Sequence, residues 1–114
     1  MKDRLFLLNA PVEDPAYPGE LFYCEHCVLM EGLIASWPEL NDRLDIQRIG
    51  WPRPRPEITG LLGEANQSCP VLVLSDNGEG CDGVQQNGGT FFINNKDAIL
   101  KALARRHNIP SAHP

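Results

Sequence analysis

Apolar and polar positions fall into short blocks along this chain, most of them bounded by proline or glycine. Residues 4–9 hold the uninterrupted apolar run Leu5-Phe6-Leu7-Leu8 and are followed by Pro11, which predicts a buried strand. Residues 10–23 carry three prolines and Gly19 and read as a loop. After Cys24-Glu25-His26-Cys27, the positions Leu29/Leu33 and Met30/Ile34/Trp37 recur at helical spacing, predicting a largely buried helix that Pro38 stops. A second, more amphipathic strand is expected over 44–49. Pro52, Pro54 and Pro56 force the following stretch to be extended, and Pro56 suits a first helical position. Ile58, Leu61, Leu62 and Ala65 form one apolar stripe, weakened by about 1 kcal/mol at each of Gly60 and Gly63. Val71-Leu72-Val73-Leu74 is the clearest strand in the chain. Residues 75–89, with five glycines, read as a long loop, and 90–93 as the last strand. Asn95 is placed to cap a final helix from Lys96 to about Arg106. Asp97 falls in its first turn and Arg105, Arg106 and His107 in its last, as the helix dipole favours.

The predicted order is β-α-β-α-β-β-α, an α/β fold with one four-stranded mixed sheet and helices on its faces. Nothing divides the chain, so one domain is expected over residues 1–114.

Composition narrows the function classes. A chain of 114 residues buries roughly 65% of its unfolded surface, enough for one core. Ten basic and fifteen acidic residues give a net charge of −5, and no Lys/Arg run is present. Such a chain repels nucleic acid, so a dedicated nucleic-acid binder is excluded. The first apolar run, four residues, is shorter than the roughly 7–15 of a signal-peptide core. Nothing approaches the roughly 20 apolar residues of a membrane span. We therefore expect a cytoplasmic protein without a membrane partner, in a compartment that keeps thiols reduced. Four cysteines there point to catalysis or metal binding rather than structural bridges.

Two elements carry that chemistry: Cys24-Glu25-His26-Cys27 at a strand-to-helix junction, and Ser68-Cys69-Pro70-Val71 entering a strand. With them the chain resembles the thioredoxin superfamily over nearly its whole length. The surroundings of Phe22-Tyr23-Cys24 and Asn66-Gln67-Ser68 resemble a small bacterial family of uncharacterised thioredoxin-like proteins. The resemblance implies a three-layer α/β/α fold. It also implies a cis peptide at Pro70 shaping the substrate groove, and that Cys69, just before it, faces the dithiol.

The chemistry of the dithiol can be read from the residues themselves. Unpaired backbone N–H groups at a helix start favour a thiolate at Cys24, and a protonated His26 would add a cation. Cys27 lies one turn further in and is the natural resolving thiol. Glu25, standing where thioredoxins have proline, opposes the thiolate. The leading reading is a thiol–disulfide oxidoreductase acting on a protein or low-molecular-weight disulfide and needing no cofactor. Two alternatives stand beside it: an inert thioredoxin-fold binding module, and a metal or iron–sulfur site on Cys24, Cys27 and Cys69.

Trp51-Pro52-Arg53-Pro54-Arg55 and Asn94-Asn95-Lys96 fall at the dithiol end of the predicted sheet. In glutaredoxins, which the fold resembles, equivalent positions hold the glutathione carboxylates. Arg53, Arg55 and Asn95 are therefore candidate substrate contacts. The Gly-Gly-x-Asp element expected with them is absent, which favours reading Arg53 and Arg55 as solvated residues on a stiff connector. Cys69 reads as a regulatory thiol, a metal ligand or a small hydrophobe. Cys81 is expected to be a surface thiol at the far end of the sheet, and His107 and His113 tail residues without partners.

Overall fold

The computed structural model describes residues 1–114. It contains a five-stranded mixed sheet, a separate two-stranded sheet and four helices. Strand β1 (Asp3–Leu8) is buried at every position but one, so both of its faces are covered. Strands β2 (Val12–Glu13) and β3 (Leu21–Phe22) form a short antiparallel hairpin, closed by an edge-to-face contact of Tyr17 on Phe22. Helix α1 (Glu25–Ser36) follows. The short helix α2 (Leu40–Arg43) buries Leu40 and leads into β4 (Leu44–Ile49), which lies parallel to β1 with Leu5 opposite Ile46. Helix α3 (Pro56–Leu62) starts on Pro56 and ends at Gly63, whose φ of 83° is open to glycine and strained for other residues.

Strand β5 (Val71–Leu74) is wholly buried and runs antiparallel to β1, with Leu72 opposite Leu5. Strand β6 (Gln85–Asn87) and strand β7 (Thr90–Ile93) form a hairpin, and β7 also pairs antiparallel with β5. The sheet order is β4-β1-β5-β7-β6. Helix α4 (Lys96–His107) is capped by Asn95, whose Oδ1 accepts from Ala98 N at 3.0 Å. Its apolar stripe Ala98, Ile99, Ala102 and Leu103 is buried. Leu29 and Leu33 of α1, its C-cap Trp37 and Leu100 of α4 line one cleft, so these two helices share a face of the sheet. The core is built around Phe6, Phe92, Met30 and the branched residues of the central strands.

Three expectations are corrected. The sheet has five strands rather than four, because Gln85–Asn87 pairs with β7 although all three of its residues are exposed. The segment 10–23 is not loop throughout, since it holds the β2–β3 hairpin. With α2, these additions interrupt the simple β-α-β-α-β-β-α order. Helix α1 is less buried than its apolar spacing suggests. Cys27, Met30 and Ile34 face the core, while Val28 and Leu29 remain 43% and 41% exposed.

Candidate functional site

The site is assembled where β1 ends and α1 begins. Cys24 is the N-cap of α1: its backbone is extended, and its sulfur accepts from Cys27 N at 3.2 Å. Its S–H donates toward the Cys69 carbonyl oxygen at 3.8 Å. Cys27, one turn on, is 2% exposed, and its Sγ accepts from Leu8 N, at the end of β1, at 3.4 Å. The Cys69–Pro70 peptide is cis, Pro70 is buried and Cys69 half-buried. All four cysteines are free thiols.

Burial dominates the electrostatics of the inner thiols. It pushes Cys27 well above the ordinary thiol range; Cys24 and Cys69 push the same way and the Leu8 N–H opposes them. Burial also pushes Cys69 up to about 11, against the pull of the Arg55 and Arg53 charges. At neutral pH both are therefore neutral thiols. That leaves Cys24, partly exposed like Cys69, as the one sulfur of the three held at the N-cap of a helix.

The remaining predicted residues divide. His26 is exposed on the first turn of α1 and faces the start of α4. There the Lys96 ammonium, 2.7 Å from Asp97, holds the Asp97 carboxyl below its usual range, and His26 adds to the effect. Asn95 is exposed, but its side-chain oxygen is occupied by the cap of α4. Arg53 is exposed. Arg55 corrects the picture of a solvated connector, being only 5% exposed. Its Nε and Nη2 donate to Trp51 O at 3.0 and 2.7 Å, and its Nη1 donates to Gln67 O at 2.6 Å. Gln67, itself buried, accepts at Oε1 from Arg55 N at 2.8 Å. Arg55 thus fastens the 51–55 turn to the strand entry that carries Cys69. No group of three or more His, Cys, Asp or Glu side chains is arranged to hold a metal ion.

Four apolar residues close to Cys24 in sequence stay exposed: Leu21 and Tyr23 at 65% each, Val28 at 43% and Leu29 at 41%. The helical spacing placed Leu29 on the core stripe, so its exposure was not legible from the pattern.

A second polar cluster sits at the other end of β1, about 17 Å away at roughly 3.3 Å per residue over five steps. Asp3, 2% exposed, accepts from Arg106 Nε and Nη2 at 2.8 and 2.9 Å and from Ser75 N and Oγ at 2.8 and 2.9 Å. His107 Nε2 lies 2.9 Å from Asp3 Oδ2, the oxygen that also accepts from Arg106 Nε, and Asp76 also pairs with Arg106. Burial would raise the Asp3 carboxyl, but the bonds from His107, Arg106 and Ser75 overcome it and hold the group far below the usual carboxylate range. His107 is therefore not the unpartnered tail residue that its position suggests. Cys81 follows β5 on this same end and is half-buried against the core, rather than a surface thiol.

One family model, described as a protein of unknown function (DUF3088), matches residues 2–111. The chain belongs to that family. No curated protein and no solved structure matches it. The DUF3088 match covers both the Cys24–Cys27 turn and the Asp3 cluster, and no helix of the chain is long and apolar enough to cross a membrane.

Proposed function

We propose that this chain is a thiol–disulfide oxidoreductase of thioredoxin-like fold, with Cys24 as nucleophile and Cys27 as resolving thiol. The observation that supports it most is the Cys24 sulfur itself, partly exposed at the N-cap of α1 and bonded to Cys27 N at 3.2 Å. From that position the Cys24 sulfur can attack and later leave, and the next turn supplies a second sulfur. The four strands β4-β1-β5-β7, with a cis proline entering β5, support the thioredoxin-like assignment; β6 and the β2–β3 hairpin are additions to it.

In the forward step, the Cys24 thiolate attacks a substrate disulfide and one substrate thiolate leaves. Cys27 then attacks the Cys24 sulfur, closing the Cys24–Cys27 disulfide and releasing the second substrate thiolate. His26 modulates the charge at Cys24, and Pro70 with the Cys69 backbone forms the wall against which the substrate lies. A reducing compartment such as the cytoplasm keeps the resting dithiol reduced. Arg53 is the cation free to meet a substrate carboxylate, glutathione included. Arg55 and Asn95 act through the backbone they hold.

Turnover of a small disulfide with a thiol reductant tests this. Cys24→Ser abolishes it while the far-ultraviolet circular dichroism stays native, and an active Cys24→Ser variant ends the proposal. The exposed apolar side chains of Leu21, Tyr23, Val28 and Leu29, on either side of the Cys24–Cys27 turn in sequence, favour a second reading, a peptide-binding module with idle cysteines. Thiols that never react with a disulfide at neutral pH would select it.

A further inference from the structure

We infer that Cys69 is a third redox thiol of this site, resolving mixed disulfides on Cys24 in competition with Cys27. The inference rests on the dithiol reading above and extends it. Its first support is position. The Cys24 thiol points at the Cys69 carbonyl oxygen from 3.8 Å, and only a few covalent bonds separate that oxygen from the Cys69 sulfur. The three sulfurs also form one electrostatic group: negative charge on Cys27 is opposed by both others, and that on Cys69 by Cys24.

The second support is access. Cys27 is 2% exposed and its sulfur is held by Leu8 N–H, whereas Cys69 is only half-buried. The third is charge. Arg55 is a buried cation with no carboxylate partner, because its donors end on the carbonyl oxygens of Trp51 and Gln67. A buried charge without a counter-ion is costly, and the Cys69 thiolate is the anion that its field favours. Burial keeps Cys69 mostly neutral at pH 7, but the thiolate of a weakly acidic thiol is the more nucleophilic one, and the reaction is intramolecular.

The chemistry balances with a low-molecular-weight disulfide as oxidant. The Cys24 thiolate attacks it, forming a mixed disulfide and releasing one small thiolate. The Cys69 thiolate attacks the Cys24 sulfur, forming the Cys24–Cys69 bond and releasing the second. Two protein thiols lose two electrons, the small disulfide gains them, and the two thiol protons pass through solvent to the released thiolates.

The test uses Cys27→Ala/Cys81→Ser and Cys27→Ala/Cys69→Ser/Cys81→Ser, beside the unaltered chain, each treated with glutathione disulfide. Released glutathione and intact mass are measured after alkylation. With Cys69 present we expect two glutathiones released per chain, none retained, and a Cys24–Cys69 cross-linked peptide. Without Cys69 we expect one released and one held on Cys24. If the double variant stops at the mixed disulfide like the triple variant, while the unaltered chain closes Cys24–Cys27, the role of Cys69 is overturned and the dithiol reading stands. If no form reacts at Cys24, both fall. Cys27→Ser, which keeps an acceptor for Leu8 N–H, replaces Cys27→Ala should the latter fail to fold.

Discussion

Replacing Asp3 with Asn removes the charge at the centre of the buried cluster while keeping the side chain's size. In the native state that carboxylate accepts two bonds from Arg106 and two from Ser75, and lies 2.9 Å from His107. Removing one partner of a buried ion pair typically costs about 3–5 kcal/mol. Arg106 keeps its bonds to Asp76, both 3.0 Å, and is itself 16% exposed, so the lower end applies. We expect about 3 kcal/mol, a fall in Tm of roughly 12 °C at about 4 °C per kcal/mol for a chain of this size. The pH dependence has a fixed sign. The folded state holds the Asp3 carboxyl below its unfolded value of 3.8, so the stabilisation is complete above about pH 4 and is lost as the pH falls through the acid range. Differential scanning calorimetry of both proteins from pH 7 to pH 2.5 therefore reads a wide gap that narrows on acidification. A gap below about 2 °C at pH 7, or one unchanged down to pH 2.5, refutes the reasoning.

Two further outcomes follow from the same geometry. Arg55→Met strands the buried carbonyls of Trp51 and Gln67 and loses bonds worth about 1.5–3 kcal/mol for a charged donor, so chemical denaturation should show at least that loss. Alkylation of Cys69 by iodoacetamide, mapped by mass spectrometry, should be slow at pH 7. It should rise about tenfold per pH unit toward a thiol pKa of about 11, and a plateau below pH 9 contradicts the burial argument.

Much of the fold was legible in the sequence, for identifiable reasons. The runs Leu5–Leu8 and Val71–Leu74 are apolar without interruption, and the strands that carry them are buried at all four of those positions. Asn95 and Pro56 mark the helix starts they occupy. Strand β6 was not legible, because Gln85-Gln86-Asn87 buries no side chain and so leaves no apolar pattern. The β2–β3 strands have two residues each, too few for any period to register.

Around the site, the Cys24–Cys27 turn was plain from spacing, whereas the burial of Arg55 was not. Its partners are carbonyl oxygens, which every residue carries, and only the nearby Gln67 gave a side-chain signal. The Asp3 cluster was beyond local patterning, since its partners stand 72 to 104 positions away. A carboxylate at the head of the strand that continues into Leu5-Phe6-Leu7-Leu8 was the one available clue.

The most direct test of the central claim is a redox titration of the unaltered chain in glutathione buffers, with thiols trapped by alkylation and located by mass spectrometry. We expect Cys24 to cycle reversibly into an intramolecular disulfide, with a midpoint between roughly −270 and −120 mV. A chain whose Cys24 stays a free thiol across that whole range contradicts the oxidoreductase reading.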